Sequence, residues 1–434
     1  MKQIGVGIIG FGTVGAGVVE GLLHNRKTMA QRLGVELVLR KLADLDITTD
    51  RGVQLDASIL TTDAMSVVND PNVQIVVELI GGTGIAKTLV LAALKAGKAV
   101  VTANKKLLAE HGDEIFSTAE SQGVDIYFGA SVGGSIPIIR VLREGLAGNE
   151  IQSIYGILNG TCNYMLTRME HEGLGFNEVL SAAQQAGYAE ANPELDIDGF
   201  DTAHKAIILA SLAYGFHIPV QKVSVEGIRN VSELDVRYAA EFGYRIKLLA
   251  IIKRDGDEIE VGVHPTLVPT THMLASVDHV FNAAMVRGDL SGDTLYYGRG
   301  AGRAPTASTV IGDIGDIARN LMAGKSRYRR GVCVANEGQR HIRLPAEIVS
   351  QFYLRLMVLD KAGSLGVMTT VLGKHGVSIL AAMQKAPLEN STQNGFVPVV
   401  ILTHPARSAA ITAALQEIDA AHVLSEPPVT LRMI

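Results

Sequence analysis

Residues 4–9 form a short apolar run, and Gly10-Phe11-Gly12-Thr13-Val14-Gly15 follows it directly. Apolar residues then recur at helical spacing through Ala16-Gly17-Val18-Val19-Glu20-Gly21-Leu22-Leu23. This strand–turn–helix order constrains the chain more than any other stretch, because it is the setting in which G-x-G-x-x-G binds a dinucleotide. Gly10 allows the tight turn, Gly12 lets a pyrophosphate approach the backbone, and Gly15 lets helix pack on strand. The phosphates would sit at the helix N-terminus. The plain alternative is a tight strand–helix turn that needs small residues.

A second strand over 35–42 ends at Ala43-Asp44, where an acid accepts from the ribose hydroxyls of NAD. Arg40, Lys41 and Arg51 lie nearby and could instead serve the extra phosphate of NADP, so both cofactors stay open. Further units follow: a strand over 75–79, the turn Gly81-Gly82-Thr83-Gly84, a helix over 86–96 and a strand over 99–102. Such alternation argues for a doubly wound parallel sheet, with ligands at the carboxyl ends of its strands. Lys105 leaves one of those ends, so it either points at the nicotinamide or is a surface lysine.

At 434 residues the chain is long enough for two or three domains, and its 47% hydrophobic content can fill sizeable cores. A net charge of −5 gives no electrostatic footprint for nucleic acid or an anionic membrane. Cys162 and Cys333 are far apart in sequence and read as buried thiols rather than a disulfide. Without a signal peptide or a membrane-length apolar run, a cytoplasmic protein is expected.

The small-residue loop Gly129-Ala130-Ser131-Val132-Gly133-Gly134-Ser135-Ile136-Pro137 exposes carbonyls that a hard cation can use, or simply crosses tightly between domains. After a strand over 151–158, Asn159-Gly160-Thr161-Cys162-Asn163-Tyr164 opens a helix, with Asn159 or Thr161 as its cap. The stretch from Gly187 to Lys205 is an acid-rich loop feeding another helix. Asp201 and Lys205 stand one turn apart on a face continued by Ile208 and Leu212. A solvated ion pair is the ordinary outcome of that spacing. Glu190, Asp196, Asp198 and Asp201 ahead of one lysine are more carboxylate than a cap requires, however. They suit a site that holds an amino group and uses a tuned lysine.

Strands and a helix over 220–265 suggest an α+β domain. A second glycine-rich run, Tyr297-Gly298-Arg299-Gly300-Ala301-Gly302-Arg303, precedes a helix that can return to the first domain. Residues 325–345 read as a linker. Beyond them, strands and helices in βαββαβ order predict a ferredoxin-like unit.

Taken together, the glycine turn, Val101-Thr102-Ala103-Asn104-Lys105, Asn159 to Tyr164, Gly187 to Lys205, and Gly300-Ala301-Gly302 with Pro305-Thr306 resemble homoserine dehydrogenase over nearly the whole chain. The C-terminal unit resembles an ACT domain. The resemblance implies a Rossmann-type NAD(P)-binding domain over 1–130, completed by about 303–322. It implies an α+β catalytic and dimerisation domain over 131–325, a linker over 326–350 and an ACT domain over 351–434. It implies interconversion of L-homoserine and L-aspartate 4-semialdehyde with NAD or NADP, in threonine, methionine and isoleucine biosynthesis, by a homodimer or homotetramer. By matching position, Lys205 carries proton transfer, with Lys105 the second catalytic lysine. Glu190 and Asp201 contact homoserine, and Asp196 is a further acid of that site. Thr13, Val14, Lys105, Gly187 and Gly302 match cofactor contacts, beside Gly10, Gly12, Gly15 and Asp44. A sodium ion falls on backbone oxygens of Gly129, Val132, Gly134 and Ile136, with Gly129 standing where many members have glutamate. The ACT unit implies L-threonine as effector, with Asp360 on its ammonium and the helix after Gly363 on its carboxylate. Ala362 replaces a proline common there.

Two other classes stay open: an oxidoreductase of similar architecture acting on another amino or hydroxy acid, and a non-catalytic amino-acid sensor. The intact glycine turn with Lys105, Glu190, Asp201 and Lys205 argues against the sensor. Every motif named for catalysis lies before Pro305 or just at it, so residues 352–434 are expected to be dispensable for the chemistry.

Overall fold

β1 (Gln3–Ile9) is buried from Ile4 onward and α1 (Thr13–His24) follows the glycine turn, as the periodicity predicts. The computed structural model describes residues 1–324, 341–385 and 395–434. Two compact units are built from interleaved segments. The first takes Met1–Gly160, Ala203–Gln221 and the described part of Phe281–Arg340. The second takes Thr161–Thr202, Lys222–Val280 and the described part of His341–Ile434.

In the first unit, β2 (Glu36–Ala43), β3 (Leu60–Thr61), β4 (Ile75–Glu78), β5 (Ala99–Thr102) and β6 (Ile126–Tyr127) join β1 in a parallel sheet of order β3-β2-β1-β4-β5-β6. The order reverses beside β1, which opens a crevice at the carboxyl ends of β1 and β4. α2 (Ile85–Lys95) and α3 (Lys105–Gln122) supply crossovers of this sheet. β7 (Ile151–Ile157) pairs antiparallel with β8 (Phe281–Gly288), and β8 with β9 (Gly292–Arg299). α4 (Phe200–Tyr214) has its first turn in the second unit's segment and the rest in the first.

α5 (Arg303–Met322) returns to the β1 core, where Ala307, Val310, Ile314 and Ile317 are buried. Glycines set its approach to α1. A Cβ on Gly17 would stand 2.8 Å from the Arg303 carbonyl oxygen, and one on Gly21 2.4 Å from Ile311 Cδ1. At Gly17, where the neighbour is backbone, a larger residue would push the two helices apart, whereas at Gly21 the Ile311 side chain can turn aside.

In the second unit, Tyr244–Asp255 and Glu258–Pro269 form a long antiparallel hairpin. The other edge of Glu258–Pro269 takes three short parallel strands in turn: His341–Ile342, Ser224–Val225 and Val429–Met433. Val429–Met433 also pairs antiparallel with Val349–Leu359, which pairs with Phe396–Thr403, and that strand with Ile379–Gln384. The helices Ser364–Lys374 and Ser408–Ala420 cover this part through Met368, Leu372, Ile411 and Ala414. The βαββαβ order expected near the C-terminus is therefore present, and its last strand continues into the hairpin's sheet. Of the expected linker, 326–340 lie outside the described residues, as does Cys333. The remainder carries the short strand His341–Ile342. Among the described residues, no helix is long and apolar enough to cross a membrane.

Candidate functional site

The glycine turn behaves as its spacing demands. Gly10 has φ +108°, a conformation open to glycine, and a Cβ there would lie 2.7 Å from the Leu79 carbonyl carbon. A Cβ on Gly15 would lie 2.0 Å from the Gly10 oxygen, so the helix meets the strand there. Gly12 is different: nothing of the chain lies within 4 Å of its Cβ position. The space in front of Gly12, with Thr13 and Val14 opening α1 behind it, fits a pyrophosphate at the helix N-terminus.

Asp44 stands half-buried at the end of β2, but its carboxylate is already engaged. Oδ2 accepts from the Phe11 amide at 2.5 Å and Oδ1 from the Asp46 amide at 2.9 Å. The acid thus ties the glycine turn to the β2 end. Of the nearby cations, Arg40 donates to Gln3 and Lys41 reaches the Ser66 carbonyl, while Arg51 pairs with Asp46 at 3.0 Å.

At the ends of β4 and β5 lies a buried carboxylate that the sequence reading passed over inside an apolar run. Glu78 is fully buried and accepts from Thr102 Oγ1 at 2.6 Å, Ile80 N at 2.9 Å and Gly81 N at 3.1 Å. Burial raises its pKa, against those hydrogen bonds. Asn104 continues the network: its Nδ2 donates to the Gly82 carbonyl and its Oδ1 caps α3 by accepting from Leu107 N. Lys105 is the first residue of that capped helix, so its backbone is held by both strand ends.

Lys205 is buried, 9% exposed, and its Nζ donates to the Leu158 carbonyl at 2.6 Å. That carbonyl orients the ammonium without adding net charge. Asp201, one turn earlier on α4, is 8% exposed. The solvated-pair alternative therefore fails, because α4 turns this face inward with Ile208 and Leu209.

The loop at 129–137 is anchored to α5. Gly129 N donates to Asp313 Oδ2 at 2.8 Å, and Thr309 Oγ1 donates to the Gly134 carbonyl at 2.7 Å. A Cβ at 129 would meet Asp313 Oδ1 at 2.9 Å, which accounts for glycine at this position. Burial pushes Asp313 up to about 7, opposed by the Gly129 amide and by Arg143 and Arg140. The Ile136 carbonyl accepts from Ile138 N. Each carbonyl oxygen accepts at two lone pairs, so this loop retains the capacity to ligate a hard cation. Among the described residues, no group of three His, Cys, Asp or Glu is placed to hold a metal. Gly302, φ +120°, caps α5.

In the second unit, Thr161 does not cap its own helix. Its Oγ1 donates to the Tyr188 carbonyl at 2.6 Å and pins the start of the acid-rich loop. Tyr188 packs on Tyr164 with ring centroids 4.9 Å apart. Gly187, φ +73°, makes the left-handed turn that ends the preceding helix. Glu190 is exposed and Asp196 half-buried, with the Asp196 carbonyl accepting from buried Cys162 Sγ at 3.2 Å. Asp198 leaves the set: it pairs with Arg229 through both carboxylate oxygens. Gly199, φ +87°, then turns the chain into α4.

Near the C-terminus a cavity of about 270 Å³ is lined by Leu359, Asp360, Gly363, Ser364, Gln384 and Val399. Gly363 has φ +95° and nothing within 4 Å of its Cβ position, so glycine is required by backbone conformation and not by crowding.

Residues 10–129 match the family model "Homoserine dehydrogenase, NAD binding domain", and residues 137–314 match "Homoserine dehydrogenase". The chain is 44% identical to a homoserine dehydrogenase of Neisseria gonorrhoeae, over 100% of this chain and 99% of that one. It is 41% identical to one of Pseudomonas aeruginosa over the same shares. The crystal structure of a homoserine dehydrogenase from Thiobacillus denitrificans superposes with TM-score 0.92 at 40% identity, covering 100% of this chain and 99% of that one. A hyperthermophilic archaeal homoserine dehydrogenase in complex with NADPH superposes with TM-score 0.63 at 28% identity, covering 74% of this chain and 98% of that one.

Proposed function

The chain belongs to the homoserine dehydrogenase family, and from that premise we propose how its residues interconvert L-homoserine and L-aspartate 4-semialdehyde. It is an oxidoreductase acting on a CH–OH group and carries a nicotinamide-cofactor domain. The cofactor, when bound, supplies or accepts the hydride. The chain's residues do the rest. In the reductive direction negative charge develops on the aldehyde oxygen, and Lys205 stabilises it and delivers the proton. The Leu158 carbonyl aims Nζ, and burial excludes competing water from it. Glu190 and Asp201 hold the substrate ammonium, with Asp196 as a further acid. Asp201 also supports the charge of Lys205 one turn on, so its two tasks compete. Gly10, Gly12, Thr13, Val14 and Gly15 receive the pyrophosphate, while Lys105, Gly187 and Gly302 make further cofactor contacts.

The observation that carries this reading is the burial of Asp201 and Lys205 on one face of α4. A spectrophotometric assay with L-homoserine and each of NAD and NADP tests it. Turnover with one or both is expected. Turnover only with another amino or hydroxy acid would overturn it.

The finer assignments belong to the same proposal: a sodium ion on the carbonyls of Gly129, Val132, Gly134 and Ile136, a dimer or tetramer, and a C-terminal ACT-like unit that binds L-threonine. The cavity at Asp360 supports the last of these: α-amino and α-carboxylate groups would meet Asp360 and the amides that open Ser364–Lys374. Inhibition requires threonine to bind one state better than another. Rising threonine is expected to inhibit the intact chain and to act more weakly on Asp360→Ala. An intact chain indifferent to millimolar threonine removes the effector role.

A further inference from the structure

The edge of Glu258–Pro269 opposite its hairpin is where the C-terminal segment joins the substrate loop. Its register pairs Glu258 with His341, Gly262 with Ser224 and Thr266 with Arg432. Ser224–Val225 is thus bracketed along that edge by two strands of the C-terminal segment. From there the chain runs directly into residues 226–229, on which the acid-rich loop rests. Glu226 N donates to the Val263 carbonyl at 2.8 Å, and Ile228 N donates to the Ile197 carbonyl at 2.8 Å. A Cβ on Gly227 would stand 2.0 Å from the Ile197 oxygen and 2.4 Å from Asp198 Cα. Arg229 adds its pair with Asp198.

Buried charges reinforce this seam. Arg432 is 7% exposed, and its Nη1 donates to Glu260 Oε1 at 3.2 Å. His264 on the same strand is fully buried, with Nδ1 3.7 Å from Glu226 Oε2 and neither ring nitrogen hydrogen-bonded. The Glu226 side chain itself is exposed, so what ties this residue to the seam is its backbone, paired to Val263. A second cluster joins other residues of the same two segments. Fully buried Asp235 accepts from Tyr353 Oη at 2.9 Å and Arg355 Nε at 2.7 Å, and Arg355 Nη1 donates to Glu426 at 2.8 Å. Removing one partner from such a set leaves a buried charge uncompensated.

We propose that Arg432 is a positioning residue for homoserine: it holds Glu260 and fixes Val429–Met433 on the strand edge that also carries Ser224–Val225, and through residues 226–229 keeps the loop bearing Glu190 and Asp196 in its binding geometry. The C-terminal segment is then part of the substrate-binding machinery. The inference rests on the reading that Glu190 and Asp201 hold the substrate ammonium.

The test is Arg432→Met in the full-length chain, with Arg432→Lys as the conservative variant. Arg432→Met should raise KM for homoserine roughly tenfold, about 1.4 kcal/mol of ground-state binding. Its kcat and dinucleotide affinity should stay within about twofold. Arg432→Lys should recover part of the loss. Hydrogen exchange of amides in residues 190–199 should accelerate in Arg432→Met. An unchanged KM together with unchanged exchange there overturns the proposal, whatever happens to thermal stability. Should Arg432→Met not fold, Glu260→Gln, which removes the charge that Arg432 meets, carries the same readouts. If the parent chain does not turn over homoserine, the substrate reading fails alone, and the exchange measurement still decides the positioning role.

Discussion

At the residue scale the chemistry turns on which carboxylates remain for substrate and where the lysines are held. Asp201 and Lys205 are buried on α4, while Asp198 is drawn off by Arg229. Lys205→Ala should therefore lower kcat by roughly 10²–10⁴, the usual worth of a positioned acid–base group. Dinucleotide binding should change little. Steady-state kinetics with a cofactor titration checks both, and near-normal turnover would move proton transfer to Lys105. Glu190→Gln preserves size and removes a charge from an exposed position in the loop. It should raise KM for homoserine more than for an analogue lacking the amino group. Equal effects on the two substrates would take the ammonium away from Glu190.

At the element scale, the cofactor crevice depends on how strand ends and helices meet. Glu78 links the ends of β4 and β5, and its pKa is raised by burial. A carboxyl group whose folded pKa exceeds its unfolded one keeps its proton longer when folded, so stability falls as pH rises out of the ordinary carboxylate range, about 4 to 5. Melting temperatures followed upward from that range should show this decline, and Glu78→Gln should flatten it. A variant with the same slope as the parent would assign the decline elsewhere. α1 and α5 meet at Gly17, where a Cβ would lie 2.8 Å from the Arg303 oxygen. Gly17→Val should destabilise by about 1–3 kcal/mol, the common cost of overpacking. It should also weaken dinucleotide affinity, since both helices begin beside the crevice. Thermal denaturation with and without cofactor reads both effects, and an unaltered melting temperature would mean that the helices yield.

At the scale of the whole molecule, the second unit draws its sheet from both the Lys222–Val280 segment and the C-terminal segment. A chain cut after Pro345 would lose Val429–Met433 from the edge of Glu258–Pro269, and would lose Arg432 and Arg355 from Glu260 and Asp235. Breaking one buried ion pair costs about 3–5 kcal/mol. The shortened chain is thus expected to unfold at lower denaturant or to lose homoserine binding, measured by urea titration and kinetics. A shortened chain as stable and active as the parent would restore the expectation that residues 352–434 are dispensable for the chemistry.

The glycine turn, the alternation of strands and helices in the first hundred residues, the Asp201–Lys205 spacing and the βαββαβ order were legible in the sequence. Each is local: a glycine's permitted φ, a period of two or 3.6 residues, a one-turn offset on a helix. The tertiary structure decided what sequence-distant residues do to one another. Asp44 is met by the Phe11 amide, Asp198 by Arg229, Glu78 by Thr102, and Glu260 by Arg432. No periodicity records such pairings, because burial and hydrogen bonding between distant segments are settled only when the strands pair and the helices close over them.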